Sequence, residues 1–335
     1  MKKIGILLLI SVFFLQCKTP KEKTYDSLVS EKYAEIISES SLKEKLFTIA
    51  ADSFEGRETG ELGQKKAAEY LKNFYQENNI SAGNNGEYFQ EIPAAYFDYR
   101  FKDTENVLAM IEGSEFPEEI VVVSAHYDHL GIDENGEIYN GADDDGSGTV
   151  AVMQMAKAFK EAKNQGQGSK RTIVFMHFTG EEKGLLGSRY YVENPIFPLE
   201  KTVANLNIDM IGRIDDLHLT DKNYIYLIGS DRLSSELDSI VNQQNRKHTQ
   251  LKLDYKYNDE NDPERLYYRS DHYNFAKNNI PVAFFFSGLH EDYHKITDTA
   301  EKIEYDLMTE RAKLVFYTLW EIANQENKIK VDKAS

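Results

Sequence analysis

Four clusters of acidic residues and histidines in this sequence have the residue types and spacing needed for chemistry. The first places His126 and Asp128 two residues apart, directly after a run of valines. Residues at i and i+2 of a strand share a face, so Asp128 can orient His126 through the second nitrogen of the imidazole ring. A carboxylate behind a histidine is typical of a metal-binding imidazole. A hydrogen-bonded histidine at a strand end is the alternative interpretation of this tripeptide alone.

The second cluster is a run of three aspartates within GADDDGSG (141–148), at the start of a predicted helix. Three consecutive carboxylates repel one another unless a cation is present. Asp143 and Asp145 match the first positions of a calcium-binding loop, but Gln154 stands where that loop needs a bidentate carboxylate. The spacing therefore excludes an EF-hand. Helix capping would explain one of the three acids but not all of them.

The third cluster combines Glu181 and Glu182 with an acid on a neighbouring strand. Adjacent carboxylates at a strand end point in different directions, so one can bind a metal while the other faces a bound water. A solvated acidic turn is the alternative interpretation. Asp209 lies within an otherwise apolar segment, and a buried carboxylate must be paired or metal-bound. His177, inside an apolar run, is predicted to be a core histidine.

The fourth cluster, residues 290–294, matches the pattern His-Glu-x-x-His. That motif needs a helix to bring both histidines to one face. Gly288 precedes it and Thr297-Asp298-Thr299 follows, which leaves too little room for such a helix, so we interpret the match as accidental. Residues 270–272 (Ser-Asp-His) are also no serine triad, because the members of a triad converge in space rather than in sequence.

The elements that must position these clusters are short buried strands that alternate with helices. Strands are predicted at 106–111, 120–125, 172–179, 203–209 and 281–287, and helices at 41–51, 64–78, 149–163 and 185–193. This alternation predicts an α/β fold: a mixed, largely parallel sheet flanked by helices in a three-layer sandwich. In such sheets the active-site residues gather at the carboxyl ends of the strands.

Composition and the amino-terminal segment limit the possible partners. The formal net charge of −17 argues against nucleic acid as a partner, because phosphate binding needs a basic surface. Lys2 and Lys3 precede the apolar run 4–15, as in a secretory signal. Cys17 lies where a bacterial lipoprotein carries its lipid, which predicts an exported protein anchored to the cell envelope. Gln16 departs from the usual lipobox, and a plain signal or an uncleaved anchor is the alternative.

The 335 residues are predicted to form one main domain. The signal peptide would occupy 1–17 and a polar tether 18–31. The main domain would span 32–325, with a polar tail at 326–335. Within that domain, residues 231–269 are polar and irregular and are predicted to form an inserted rim or lid.

Taken together, the clusters supply two imidazoles and three carboxylates at strand ends of one sheet: His126, Asp144, Glu182, Asp209 and His294. This set suits two zinc ions that share a bridging carboxylate. With these residues the sequence resembles the M28 family of zinc-dependent aminopeptidases. The resemblance extends from about residue 42 to 320 and rests on six blocks: AHYDHLG (125–131), GADDDGSG (141–148), TGEEKGLLGS (179–188), NIDMIG (207–212), SDHYNF (270–275) and YHKITDT (293–299).

The resemblance implies the phosphorylase/hydrolase-like fold of zinc exopeptidases, two Zn²⁺ per chain and peptide substrates. It assigns one zinc to His126 and Asp209, the other to Glu182 and His294, and the bridge to Asp144. Glu181 matches the general base of the family. The protease-associated insert of the family is expected to be missing here, because the chain is too short between the N-terminal helices and His126.

Four further positions and several alternatives follow from the resemblance. Tyr293 would donate a hydrogen bond to the oxyanion, or it is simply a packed tyrosine, while Asp128 would support His126. Ser270 and Asp271 would support the site or bind the substrate amine. Alternatives of the same fold are a single-zinc glutaminyl cyclase and a dipeptidase-type exopeptidase. A non-catalytic binding lipoprotein is a third alternative, which the intact ligand set and Glu181 disfavour.

Overall fold

The computed structural model describes residues 23–333, with side chains from residue 28 onward. The predicted signal peptide and Cys17 lie outside the described residues. Within residues 23–333, no helix is long and apolar enough to cross a membrane.

Within the described residues, one sheet has nine strands and a small hairpin has two more. In chain order the strands are β1 (Ser81–Ala82), β2 (Phe89–Ile92), β3 (Thr104–Ile111), β4 (Phe116–His126), β5 (Gly131–Ile132), β6 (Ile138–Tyr139), β7 (Arg171–Phe178), β8 (Thr202–Ile208), β9 (Tyr224–Ile228), β10 (Lys252–Asp254) and β11 (Val282–Phe286). The order in the large sheet is β1-β3-β7-β4-β8-β11-β9-β10, with β2 beside β3, while β5 and β6 form the hairpin.

Helices cover both faces of the sheet. In chain order they are α1 (Lys23–Ala34), α2 (Glu39–Ile49), α3 (Leu62–Glu77), α4 (Gly148–Asn164), α5 (Leu186–Glu193), α6 (Ser235–Gln244), α7 (His272–Ala276) and α8 (Tyr305–Asn324). Helices α1 to α4, α6 and α8 share one apolar core with the inner residues of the strands, and α5 and α7 share a second core on the other face. The sheet therefore lies between two layers, as a three-layer sandwich requires.

The centre of the sheet is parallel, and this brings the chemical clusters to one edge. Strand β4 pairs in parallel with both β7 and β8, and β8 pairs in parallel with β11. In register, Ala125 lies beside His177 and Ser124 beside Asn207. The loops that follow β4, β7, β8 and β11 consequently leave the sheet at the same edge.

The predicted α/β class and largely parallel sheet are confirmed. The five predicted strands correspond to β3, β4, β7, β8 and β11, and the four predicted helices to α2 to α5. The sequence analysis missed β9 and the long helix α8. Strand β9 runs antiparallel to β11, so it lies outside the strand–helix alternation on which the prediction relied.

Three boundaries in the predicted domain division need correction. The segment assigned to a tether up to residue 31 contains α1 from Lys23 onward, and Ser30 and Tyr33 on this helix are buried. The segment 231–269 is not irregular, because it contributes α6 and the edge strand β10 to the domain. The tail also packs on the domain through Ile329, which is buried. The polar composition of α1, α6, β10 and the tail gave no clear hydrophobic pattern, because each of them buries only a few apolar side chains.

Candidate metal centre

The first candidate metal cluster combines residues from three loops at the carboxyl edge of the sheet. His126 ends β4, Asp209 follows β8, and Asp144 lies just before α4. The Nε2 atom of His126 lies 3.2 Å from Oδ1 of Asp144 and 3.6 Å from Oδ1 of Asp209. One ligand atom from each residue lies within 4.8 Å of the others, and all three side chains are buried.

A second cluster lies on the other side of Asp144. The Nε2 atom of His294 lies 3.1 Å from Oδ2 of Asp144 and 3.2 Å from Oε2 of Glu182. Asp144 therefore directs Oδ1 at the first cluster and Oδ2 at the second, which is the arrangement that a bridging carboxylate needs. The structure thus brings all five predicted ligands together around one aspartate.

A histidine that the sequence analysis did not single out also contacts the second cluster. The Nδ1 atom of His129 lies 2.9 Å from Oε1 of Glu182, and His129, Asp144 and Glu182 form a group able to hold a metal. The ring is buried against Gly141, where an added Cβ would lie 2.5 Å from Cγ of His129. His129 belongs to the AHYDHLG block, so its type and position were visible in the sequence. Only the fold shows that it turns towards Glu182.

The charges of these clusters fit a divalent cation. Burial disfavours a charged His294, but Asp144 and Glu182 outweigh this effect and raise its pKa to about 10. Burial likewise opposes a charged His126, yet Asp209 and Glu181 hold its pKa well above the usual range. Both imidazoles thus lie where the carboxylates strongly attract positive charge. In addition, Nε2 of His129 is buried without a hydrogen-bond partner, and Nδ1 of His129 and Oε1 of Glu182 lie 2.9 Å apart without hydrogen-bond geometry, a donor set that suits a shared cation.

Glu181 lies beside the ligands without being grouped with them. It lines the same cleft as His126, Asp144 and Asp209. Burial raises its pKa well above the usual range, and the charges of Asp209 and Glu182 add to this effect against the opposing influence of His126. A carboxylate with a raised pKa can accept a proton and give it up again.

Asp128 connects the first cluster to Glu181. Its Oδ1 atom accepts the backbone N–H of Glu181 at 3.2 Å, and its Oδ2 atom accepts the hydroxyl of Thr59 at 2.7 Å. The predicted contact with His126 differs in detail. The Nδ1 atom of that ring lies 3.1 Å from the backbone oxygen of Asp128 and 3.7 Å from the carboxylate. The backbone oxygen of Asp128 is therefore the nearer partner of His126, and the carboxylate is the more distant one. The carboxylate also fixes the loop that carries Glu181.

The three consecutive aspartates have three different environments. Asp145 accepts backbone N–H groups from Gly148, Met210 and His126, at 2.8, 3.1 and 3.2 Å. Asp143 accepts the N–H of Gly212 at 2.6 Å. These two acids join the loops after β4 and β8 to the start of α4, which leaves Asp144 as the acid that faces the metal clusters.

A buried arginine holds the loops of His126 and Asp144 through hydrogen bonds to their backbone. The guanidinium of Arg57 is fully buried and donates to four backbone carbonyls, those of Ile49, Tyr127, Asn140 and Gly141, at 2.6 to 3.1 Å. Two of these acceptors, Tyr127 and Gly141, lie in the loops of His126 and Asp144. We refer to this set of four hydrogen bonds as the Arg57 clamp. Sequence reasoning missed it because backbone carbonyls carry no sequence signal.

Comparison with known proteins decides the family. Residues 106–319 match peptidase family M28. The protein belongs to this family.

Curated relatives of this M28 chain include two fungal proteins. A probable leucine aminopeptidase of Trichophyton verrucosum is 27% identical over 319 residues, which cover 92% of this chain and 79% of the relative. A probable leucine aminopeptidase of Arthroderma benhamiae is 32% identical over 225 residues, 65% of this chain. The match spans 57% of the length of that second relative.

Solved structures share the fold of this M28 chain. The LapA aminopeptidase of Legionella pneumophila superposes with a TM-score of 0.71 at 21% identity, covering 93% of this chain and 79% of that one. The zinc aminopeptidase BSAP of Bacillus subtilis gives a TM-score of 0.66 at 16% identity, covering 87% and 97%. The predicted metallopeptidase of family M28 and its exopeptidase fold are thereby confirmed, whereas the number of zinc ions stays a prediction.

Ser270 and Asp271 of the M28 chain differ in their contacts. Ser270 donates its hydroxyl to Oδ2 of Asp209 at 2.7 Å and accepts from Asn207 at 2.8 Å, so it orients a predicted ligand. Asp271 is completely buried, and burial raises its pKa to about 7. Asp271 is also not among the described residues that line the cleft, so it supports the site from behind.

The structure also tests the His-Glu-x-x-His match and the predicted core histidine. Residues 290–294 form turns rather than a helix, and Nε2 of His290 lies 3.3 Å from Oδ2 of Asp143, away from the metal-facing Asp144. The accidental nature of the His-Glu-x-x-His match is confirmed. His177 is a core histidine as predicted, and its Nε2 atom pairs with the hydroxyl of Tyr75 at 2.6 Å.

The cleft of this M28 peptidase has an apolar wall beside the predicted ligands. Its apolar lining residues are Met210, Leu266, Phe284, Phe286 and Leu289. Tyr293 stacks on the ring of His294 with centroids 3.9 Å apart, and burial together with Asp144 and Glu182 raises the pKa of its hydroxyl. The phenol therefore stays protonated and keeps a proton to donate.

Proposed function

We propose that this M28 peptidase removes amino-terminal residues from peptides, with two zinc ions as cofactors and Glu181 as the general base. The observation that carries the proposal is the position of Asp144, whose two carboxylate oxygens face two separate His–carboxylate clusters. His126, Asp209 and Asp144 would hold one zinc, and Asp144, Glu182 and His294 the other. His129 would support the second set through Glu182.

When bound, zinc would polarise the scissile carbonyl and acidify a water molecule. The chain itself supplies the path of the proton. Glu181 lines the cleft beside the predicted ligands, so it can take a proton from the attacking water and pass it to the leaving amine. The backbone hydrogen bond to Asp128 fixes the loop of Glu181 for both transfers. The protonated phenol of Tyr293 would donate to the oxyanion.

The apolar wall favours substrates with an aliphatic or aromatic first residue. A side chain bound against Leu266, Phe284 and Phe286 would leave water on entering the cleft, and a buried leucine side chain contributes about 1.5–3 kcal/mol. Relatives named as leucine aminopeptidases agree with this preference. We therefore propose leucine-like residues at the amino terminus of the substrate.

The decisive experiment compares the wild type with Glu181→Gln on leucyl substrates and measures bound zinc in both proteins. We expect activity to fall by about a hundredfold to ten-thousandfold, the usual contribution of a general base, while the zinc content stays the same. Glu134→Gln, an exposed acid in the turn between β5 and β6, is the matched control. Full activity in Glu181→Gln would contradict the assigned base.

The same preparation separates the alternative activities. Two zinc ions per chain and release of free leucine support the aminopeptidase, whereas one zinc and cyclisation of an amino-terminal glutamine would support a glutaminyl cyclase. Zinc binding without turnover of any substrate would support a binding protein.

We also propose that the protein is exported and lipid-anchored through Cys17. Support comes from the sequence alone, where Lys2, Lys3 and the apolar run 4–15 precede the cysteine. Mass spectrometry of the membrane fraction would detect a lipid on Cys17, and Cys17→Ala would release the protein from that fraction.

A further inference from the structure

One cation lies among the residues that line the metal cleft. Of the described residues that form its wall, Arg269 is the only lysine or arginine. The remaining charged groups there are the ligands and Glu181. An arginine beside four carboxylates on a chain of net charge −17 calls for a specific explanation.

The main chain places Arg269 at the rim of the cleft. A single turn of 3-10 helix, Leu266–Tyr268, precedes it, and the N–H of Arg269 donates to the carbonyl of Leu266 at 3.0 Å. Leu266 lines the metal cleft, while Tyr267 and Tyr268 line a separate cavity of about 610 Å³. The turn thus directs Leu266 and Arg269 towards the metal cleft and the two tyrosines away from it.

The guanidinium is only loosely held by the protein. Its polar contacts are Oη of Tyr293 at 3.5 Å and Oε2 of Glu264 at 3.8 Å, and its side chain is 41% exposed. Guanidinium groups carry five N–H donors in a planar fork, which matches a carboxylate. Two long contacts leave most of these donors available to a substrate.

Tyr293 lies between Arg269 and the predicted ligands. Its ring stacks on His294, and its hydroxyl lies beside the guanidinium. Arg269 is therefore about one side chain away from the second metal cluster. If the first carbonyl of a bound peptide lies at the metal clusters, the second residue of the peptide extends about one side chain further, which is as far as Arg269.

From these contacts we propose that Arg269 binds a carboxylate on the leaving side of the substrate. The inference rests on the proposed function and deepens it. Two sources have this chemistry: the terminal carboxylate of a dipeptide, or the side chain of Asp or Glu in the second position of a longer peptide. A neutral first residue would lie against the apolar wall, and the anion of the second residue would pair with Arg269.

The test compares wild type and Arg269→Gln on four substrates that share an amino-terminal leucine. Leu-Ala has a terminal carboxylate, Leu-Glu-amide has a side-chain carboxylate, and Leu-Ala-amide and leucyl-p-nitroanilide have neither. We expect Arg269→Gln to lower kcat/KM about 10–100-fold on one or both anionic substrates, mainly through KM, and less than about twofold on the neutral pair. A loss on Leu-Ala identifies the terminal carboxylate, and a loss on Leu-Glu-amide identifies the side chain.

Controls separate this role from a structural one. Arg265→Gln changes an exposed arginine of the same segment whose guanidinium stacks on Tyr268, and it should leave all four rates unchanged. Zinc content and the unfolding midpoint of Arg269→Gln should equal those of the wild type. Equal losses on all four substrates, or no loss on either anionic one, would overturn the carboxylate role and leave the peptidase intact. Failure of the wild type to cleave any of the four would overturn the proposed function and the inference with it.

Discussion

The Arg57 clamp gives a prediction whose size can be worked out from its contacts. Arg57 is fully buried, and three of its nitrogens donate to four backbone carbonyls. In Arg57→Lys, the positive charge remains but all donors lie on one nitrogen. The single ammonium group of lysine cannot reach all four carbonyls that surround the planar guanidinium. We assume that two of the four carbonyls have no hydrogen-bond donor in Arg57→Lys.

Each unpaired buried acceptor costs about 1–3 kcal/mol, so Arg57→Lys should lower the free energy of unfolding by about 2–6 kcal/mol. That is a large part of the 5–15 kcal/mol that stabilises a typical protein. Urea unfolding of the zinc-free protein, followed by circular dichroism, measures the change. The matched control is Arg246→Lys at an exposed position after α6, where we expect a change within about 0.5 kcal/mol.

The clamp also predicts an effect on the metal clusters. The carbonyls of Tyr127 and Gly141 lie in the loops of His126 and Asp144, so loosening them should weaken zinc binding in a competition with a chelator. The reasoning would be refuted if Arg57→Lys unfolded within about 1 kcal/mol of the wild type and bound zinc equally well. The four carbonyls would then not depend on the guanidinium fork.

Two further predictions concern buried histidines. His129→Leu removes the ring nitrogen that lies 2.9 Å from Oε1 of Glu182. We expect the affinity for zinc, measured by competition with a chelator, to fall about 10–100-fold. An unchanged affinity would show that Glu182 does not need His129. His272 is buried against Phe284, and burial lowers its pKa to about 3. Because the unfolded chain binds this proton near pH 6.5, the folded protein loses stability as the pH falls from about 6.5 towards 3, by up to about 1.4 kcal/mol per pH unit. His272→Phe should flatten this slope in urea unfolding at about pH 7 and about pH 5, and an equal slope in both proteins would contradict the assignment.

The sequence could indicate the candidate ligands because their residue types and spacing are local to each block. His126, Asp144 and Glu182 each lie in a short motif with turn residues around it, and the strand before or helix after that motif is strongly apolar. Parallel pairing of the strands then brings the motifs together without further information. The outline of the site thus follows from residue type, spacing and the rule for strand ends.

The contacts that support these ligands could not be predicted in the same way. Three of the four hydrogen bonds of the Arg57 clamp join residues that are 70 to 84 positions apart, through carbonyls that every residue possesses. The role of Ser270 depends on which neighbour its hydroxyl meets, and here the neighbour is Asp209. Arg269 lies in a polar stretch with no motif, and its position follows from one short turn. Such features depend on tertiary placement rather than on local pattern.

The two sides of the cleft have different origins in the chain. The predicted ligands lie in loops that parallel strands fix, whereas Leu266 and Arg269 belong to the short turn on the rim. Substitutions in that turn can therefore alter the choice of peptide without moving the zinc-facing groups. Directed evolution restricted to residues 264–269 should therefore change the substrate preference while zinc binding is retained.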